Sequence, residues 1–79
     1  MNFIVVELML KSRDGKKTNV NRIFVIGRKH LGKIIALLDD CWVAYQRTAV
    51  GSICEINISC PSLKLWFGIY ESLMMCDIH

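Results

Sequence analysis

KSRDGKKT, residues 11–18, lies between two runs rich in β-forming residues, NFIVVELML (2–10) and NVNRIFVIG (19–27). An Asp-Gly step in that setting signals a two-residue type I′ reversal, because both central positions need positive φ. As a reversal, these residues pair the flanking runs into an antiparallel hairpin. A loop at Asp14-Gly15 sets Arg13 opposite Lys16, Glu7 opposite Arg22, Val6 opposite Ile23, Val5 opposite Phe24 and Ile4 opposite Val25. The acid of the first run then meets the cation of the second, and apolar residues meet apolar ones, as cross-strand pairing favours. The same register gathers Lys11, Arg13, Lys16 and Lys17 at a solvated tip.

Beyond Gly27 the period changes. In residues 29–48, Leu31, Ile34, Ile35, Leu38, Cys41, Trp42 and Tyr45 follow the spacing of a helical apolar stripe. Gly51 is a natural stop. Residues 52–60, SICEINISC, alternate strictly, with Cys54, Ile56, Ile58 and Cys60 on one side, and Pro61 ends the run. Residues 63–70 admit two readings. The glycine and the aromatic, β-branched content favour a strand with Lys64, Trp66 and Tyr70 on one face. A helix N-capped by Ser62 would instead align Leu63, Trp66, Phe67, Tyr70, Leu73 and Met74.

The order β-β-α-β-β predicts one domain over residues 1–79 of the α+β class. It is a two-layer sandwich, an antiparallel sheet of about four strands with one helix packed on one face. Its outer sheet face is expected to show Phe3, Val5, Phe24 and Ile26, joined by an exposed Trp66–Tyr70 pair able to anchor a partner. An apolar content of 53% in 79 residues fits such a surface.

Charge is segregated. Residues 11–33 hold Lys11, Arg13, Lys16, Lys17, Arg22, Arg28, Lys29 and Lys33 against Asp14 alone. The hairpin tip and the helix entrance, with Arg28, Lys29 and Lys33, form a basic surface suited to an acidic protein or to phosphates. No recognition signature for DNA or RNA accompanies it.

Chemistry is harder to place. Asp39 and Asp40 are adjacent and diverge on a helix, and no phosphate-cradling glycine loop occurs. Cys41, Cys54, Cys60 and Cys76 form no CxxC pair and read as small buried hydrophobes. Cys76 and His79 have C-x2-H spacing, but Cys54 and Cys60 would be about 20 Å apart along an extended strand. No metal or cofactor is therefore expected, and no enzymatic activity. The absence of a leader and of a long apolar span points to an intracellular chain that does not engage a membrane.

The expected function is that of a small non-enzymatic binding module, a regulator or inhibitor acting by contact with a larger protein or protein–nucleic-acid assembly. The alternative is direct nucleic-acid binding through residues 11–33. Homodimerisation through the outer face or an edge strand is a third possibility.

Overall fold

The computed structural model describes the backbone of residues 2–11 and 17–77, and their side chains apart from residues 17–20 and 50. The expected reversal at Asp14-Gly15, with Arg13 and Lys16, lies outside the described residues, as does the side chain of Lys17.

Strict alternation makes Phe3–Lys11 (β1) a strand with Ile4, Val6 and Leu8 wholly buried on one side. Lys17–Gly27 (β2) pairs with it antiparallel. A single 3-10 turn, Arg28–His30, leads into helix α1, Leu31–Asp40. Strands Ala44–Val50 (β3) and Ile53–Cys60 (β4) form a second antiparallel hairpin, followed by helix α2, Leu63–Met74.

The two hairpins lie side by side in the order β2-β1-β4-β3, with β1 and β4 parallel at the centre. The sheet is thus mixed rather than purely antiparallel, and two helices cover it rather than one. Ile34 and Leu38 of α1 and Trp66, Ile69 and Leu73 of α2 share one core with the inward residues of β1, β2 and β4. Both helices therefore lie on the same side. From the strand directions α1 and α2 run antiparallel across it.

Three further expectations are corrected. First, the hairpin register is displaced by one residue: Ile4 faces Ile26, Val6 faces Phe24 and Glu7 faces Ile23. A slip of one reverses every side chain between faces. The observed register buries Phe24 to 1% and Ile26 to 0% exposure. Burial stabilises by roughly 1.5–3 kcal/mol for each such side chain, whereas the exposed Glu7–Arg22 pair it forgoes would contribute about 0.2–1 kcal/mol. The core term wins.

Second, the helix ends at Asp40, not near residue 48, and residues 44–50 form β3. Gly51 at φ 62 and Ser52 make the two-residue loop between paired Val50 and Ile53. Glycine at the first loop position belongs to the type II′ reversal that suits a hairpin's twist.

Third, residues 63–74 are helical. Ser62 is the N-cap, its hydroxyl accepting from the N–H of Leu65 at 3.3 Å. Burial at Trp66, Ile69 and Leu73 follows helical spacing and overrides the local β preference. Past α2, Asp77 bridges to Ile26, and its carboxylate accepts from the N–H of Val25 at 3.1 Å. This bond satisfies part of the outer edge of β2.

Candidate functional site

With both helices on one side, the opposite side of the sheet has no roof among the described residues. Parity along each strand fixes its contents. β1 contributes Phe3, Val5, Glu7 and Met9, and β2 contributes Asn21, Ile23 and Val25. From β4 come Ile53, Glu55, Asn57 and Ser59, and from β3 Ala44, Gln46 and Thr48.

This face has an apolar end and a polar middle. Phe3 and Val5 are half-buried, while Ile23 is 61% and Val25 37% exposed. Glu55 stands beside Val5, and Glu7 beside Ile23. Asn21 donates to Glu7 Oε2 at 3.1 Å. The amide of Asn57, oriented by its partners, donates to Glu7 Oε1 at 3.0 Å and to Glu55 Oε1 at 3.2 Å. Two carboxylates are thereby held at neighbouring positions, each supplied with a donor but, among the described residues, not with a cation. The face joins aliphatic surface to fixed negative charge.

Its far end is a hollow of about 640 Å³ lined by Met9, Lys11, Trp42, Gln46, Asn57 and Ser59, among others. Trp42 is 94% exposed and has φ 56, the one non-glycine residue with positive φ among those described. It terminates α1. The N–H of Trp42 bonds to the carbonyl of Asp39 at 3.2 Å, and that of Val43 bonds to Leu38 at 3.1 Å. These are the two bonds of a Schellman motif, with Leu38 and Val43 as its apolar contact and Trp42 at the left-handed position usually given to glycine. The helical spacing that assigned Trp42 to the core fails because the chain reverses at that residue.

The expected site residues separate. Of the outer-face set Phe3, Val5, Phe24 and Ile26, only Phe3 and Val5 lie on the open side. Phe24 and Ile26 are core, and Ile23 and Val25 occupy the positions expected for them. Trp66 is 6% exposed and so cannot present itself to a partner. It stacks on half-buried Tyr70, ring centroids 5.2 Å apart, and its indole N–H has no acceptor among the described residues. Phe24 meets the Tyr70 ring edge-on, and the Arg22 guanidinium lies 5.6 Å from its centroid. Arg22 is thus on the helix side, far from the Glu7 partnership expected of it.

The basic residues divide between the two ends of β1. Lys11 pairs with Lys17 at one end, while Arg28 bonds through its N–H to the carbonyl of Asn2 at the other. Eight strand steps separate Phe3 from Lys11, about 26 Å. Arg28, Lys29 and Lys33 are exposed around the start of α1, whose first turn carries no acid.

Among the described residues no group of three His, Cys, Asp or Glu side chains could hold a metal ion, and no helix is long and apolar enough to cross a membrane. The residues that the alternation missed, Ile23 and Val25, were recoverable only from the register. Trp42 carried no such signal, because the stop of α1 lacks its usual glycine. No family model matches the chain, and no curated protein or solved structure is significantly similar to it.

Proposed function

We propose that the chain is a non-enzymatic binding module that docks a partner protein on its open sheet face, as a regulator or inhibitor of a larger assembly. The observation that carries this reading is the exposed aliphatic pair Ile23 and Val25, beside Phe3 and Val5 and next to Glu7 and Glu55. An unroofed apolar patch of this kind is unfavourable in water and marks a contact surface. The adjoining carboxylates select the partner: an aliphatic or aromatic protrusion flanked by lysine or arginine.

That charge layout also weighs against nucleic acid on this face. A phosphate chain reaching from Lys11 to Arg28 would cross Glu7. Residues Arg28, Lys29 and Lys33 at the start of α1 retain the alternative reading on their own.

The test is affinity capture from a native lysate treated with nuclease, comparing the wild-type chain with Ile23→Asp and with Lys29→Glu/Lys33→Glu. Ile23 is 61% exposed and outside the core, so Ile23→Asp should abolish capture while circular dichroism still shows a folded chain, less stable by the like charge it sets opposite Glu7. Retention by Ile23→Asp, or loss with nuclease alone, would refute docking on the open face.

A further inference from the structure

We propose that β3 pairs with β3 of a second copy of this chain, antiparallel about a two-fold axis at Gln46, with Trp42 as the anchor at each end of the seam. This seam is independent of the open face and involves the sheet's edges, which differ. The β2 edge is partly satisfied by Asp77 at Val25 and Ile26. The β3 edge spans Ala44–Val50 and has β4 as its one strand neighbour among the described residues. Natural edges are usually shortened, bulged or covered, because unpaired backbone groups are a template for another strand. Here Arg47 is the one charged residue along β3.

Symmetry narrows the register. Antiparallel copies of one edge are related by an axis perpendicular to the sheet, so both helix layers fall on the same side and facing residues share parity. An axis at Arg47 would set two guanidinium groups against each other. An axis at Gln46 sets Tyr45 opposite the partner's Arg47 on the helix side, twice, an arrangement that favours cation–π contact. It also sets Ala44 opposite the partner's Thr48. That register pairs residues 44–48 of β3 with residues 48–44 of the partner subunit, five of the seven strand positions, and its outer ends bring Trp42 toward residue 50 of the partner subunit.

Trp42 supplies what a bare edge lacks. Backbone pairing of two short strands buries less than the roughly 1,000–1,200 Å² that a specific interface needs. A tryptophan can add up to about 200 Å², and the symmetric seam contains two. Trp42 is 94% exposed and held left-handed, a conformation that glycine adopts at no steric cost. A large aromatic kept where it is both strained and wet, at the entrance to an open edge, is explained if the seam covers it. The product is a continuous eight-stranded sheet with four helices on one side and both open faces free.

Sedimentation equilibrium across a concentration series tests this. The wild-type chain should pass from monomer to dimer, and Trp42→Gly should weaken the dimer at least tenfold while remaining folded. Gln46→Lys and Gln46→Glu should each be monomeric, and an equimolar mixture of the two should recover the dimer mass. Ile23→Asp should leave the association unchanged. A wild-type chain that stays monomeric into the high micromolar range overturns the proposal. So does a Trp42→Gly or Gln46→Lys chain that associates like wild type, or a mixture that fails to pair. Loss of the dimer in Ile23→Asp would assign association to the open face and overturn the edge seam.

Discussion

The N–H of Val43 returns to the carbonyl of Leu38 at 3.1 Å, closing helix α1 around a left-handed Trp42. The closure itself is stabilising, since Leu38 is 0% and Val43 6% exposed. The residue between them is the strained member. A side chain with a Cβ in left-handed conformation costs about 1–2 kcal/mol, part of which glycine returns as greater freedom in the unfolded chain. Trp42→Gly should therefore stabilise the monomer by about 1 kcal/mol in urea unfolding at low concentration. A destabilised variant would mean that the indole makes contacts its exposure denies.

Gly51 provides the converse. Its φ is 62, and a Cβ there would meet nothing within 4 Å. The cost of Gly51→Ala is then a backbone cost alone, about 1–2 kcal/mol. Since the β3–β4 reversal depends on that residue, the loss should appear in thermal unfolding without new clashes. An unchanged melting temperature would contradict the type II′ assignment.

Asn57 donates to both Glu7 and Glu55 at the middle of the open face. Asn57→Asp removes those donors and adds a third negative charge among acceptors. Stability should fall by about 1–3 kcal/mol at low ionic strength, and added salt should recover much of the loss by screening. A salt-independent loss, or none, would place the three side chains further apart than described.

The thiol of Cys60 is pushed up from 9.0 to about 11, first by burial and then by the neighbouring charge of Cys41. Burial disfavours the thiolate, so the unfolded chain gives up this proton before the folded one does. The stability held by the neutral thiol is complete below about pH 9 and declines as pH rises through about 11. Cys60→Val should flatten that part of the stability profile. Equal alkaline slopes in the two proteins would contradict the burial of Cys60.

Much of the fold was legible in alternation and helical spacing. The runs 2–10, 19–27 and 52–60 fall on the strands Phe3–Lys11, Lys17–Gly27 and Ile53–Cys60 to within two residues, and Leu31, Ile34 and Leu38 mark a helix. Spacing failed at Cys41, Trp42 and Tyr45, which continue the helical stripe on paper although the chain reverses between them. The Gly51-Ser52 step was the available sign of the second hairpin. Residues 63–74 misled through propensity, since the aromatic, β-branched content favours a strand and Gly68 weakens a helix in isolation, whereas the Ser62 cap and the spacing of Trp66, Ile69 and Leu73 prevail once packed. The open face was foreseen as a feature, but its occupants were not. Strand pairing has period two, so matching Glu7 with Arg22 moved Phe24 and Ile26 outward in place of Ile23 and Val25. Burial energy, which outweighs an exposed ion pair several-fold, is the stronger guide to register.

On the proposed function, a protein partner is recognised by the unroofed side of the sheet. Hydrogen–deuterium exchange on the chain with its captured partner tests it most directly, because protection reports which backbone is covered. Reduced exchange in residues 3–7, 21–25 and 53–57, with the outward faces of α1 and α2 unchanged, is the predicted result. Protection confined to the helices, or to Arg28–Lys33, would contradict it.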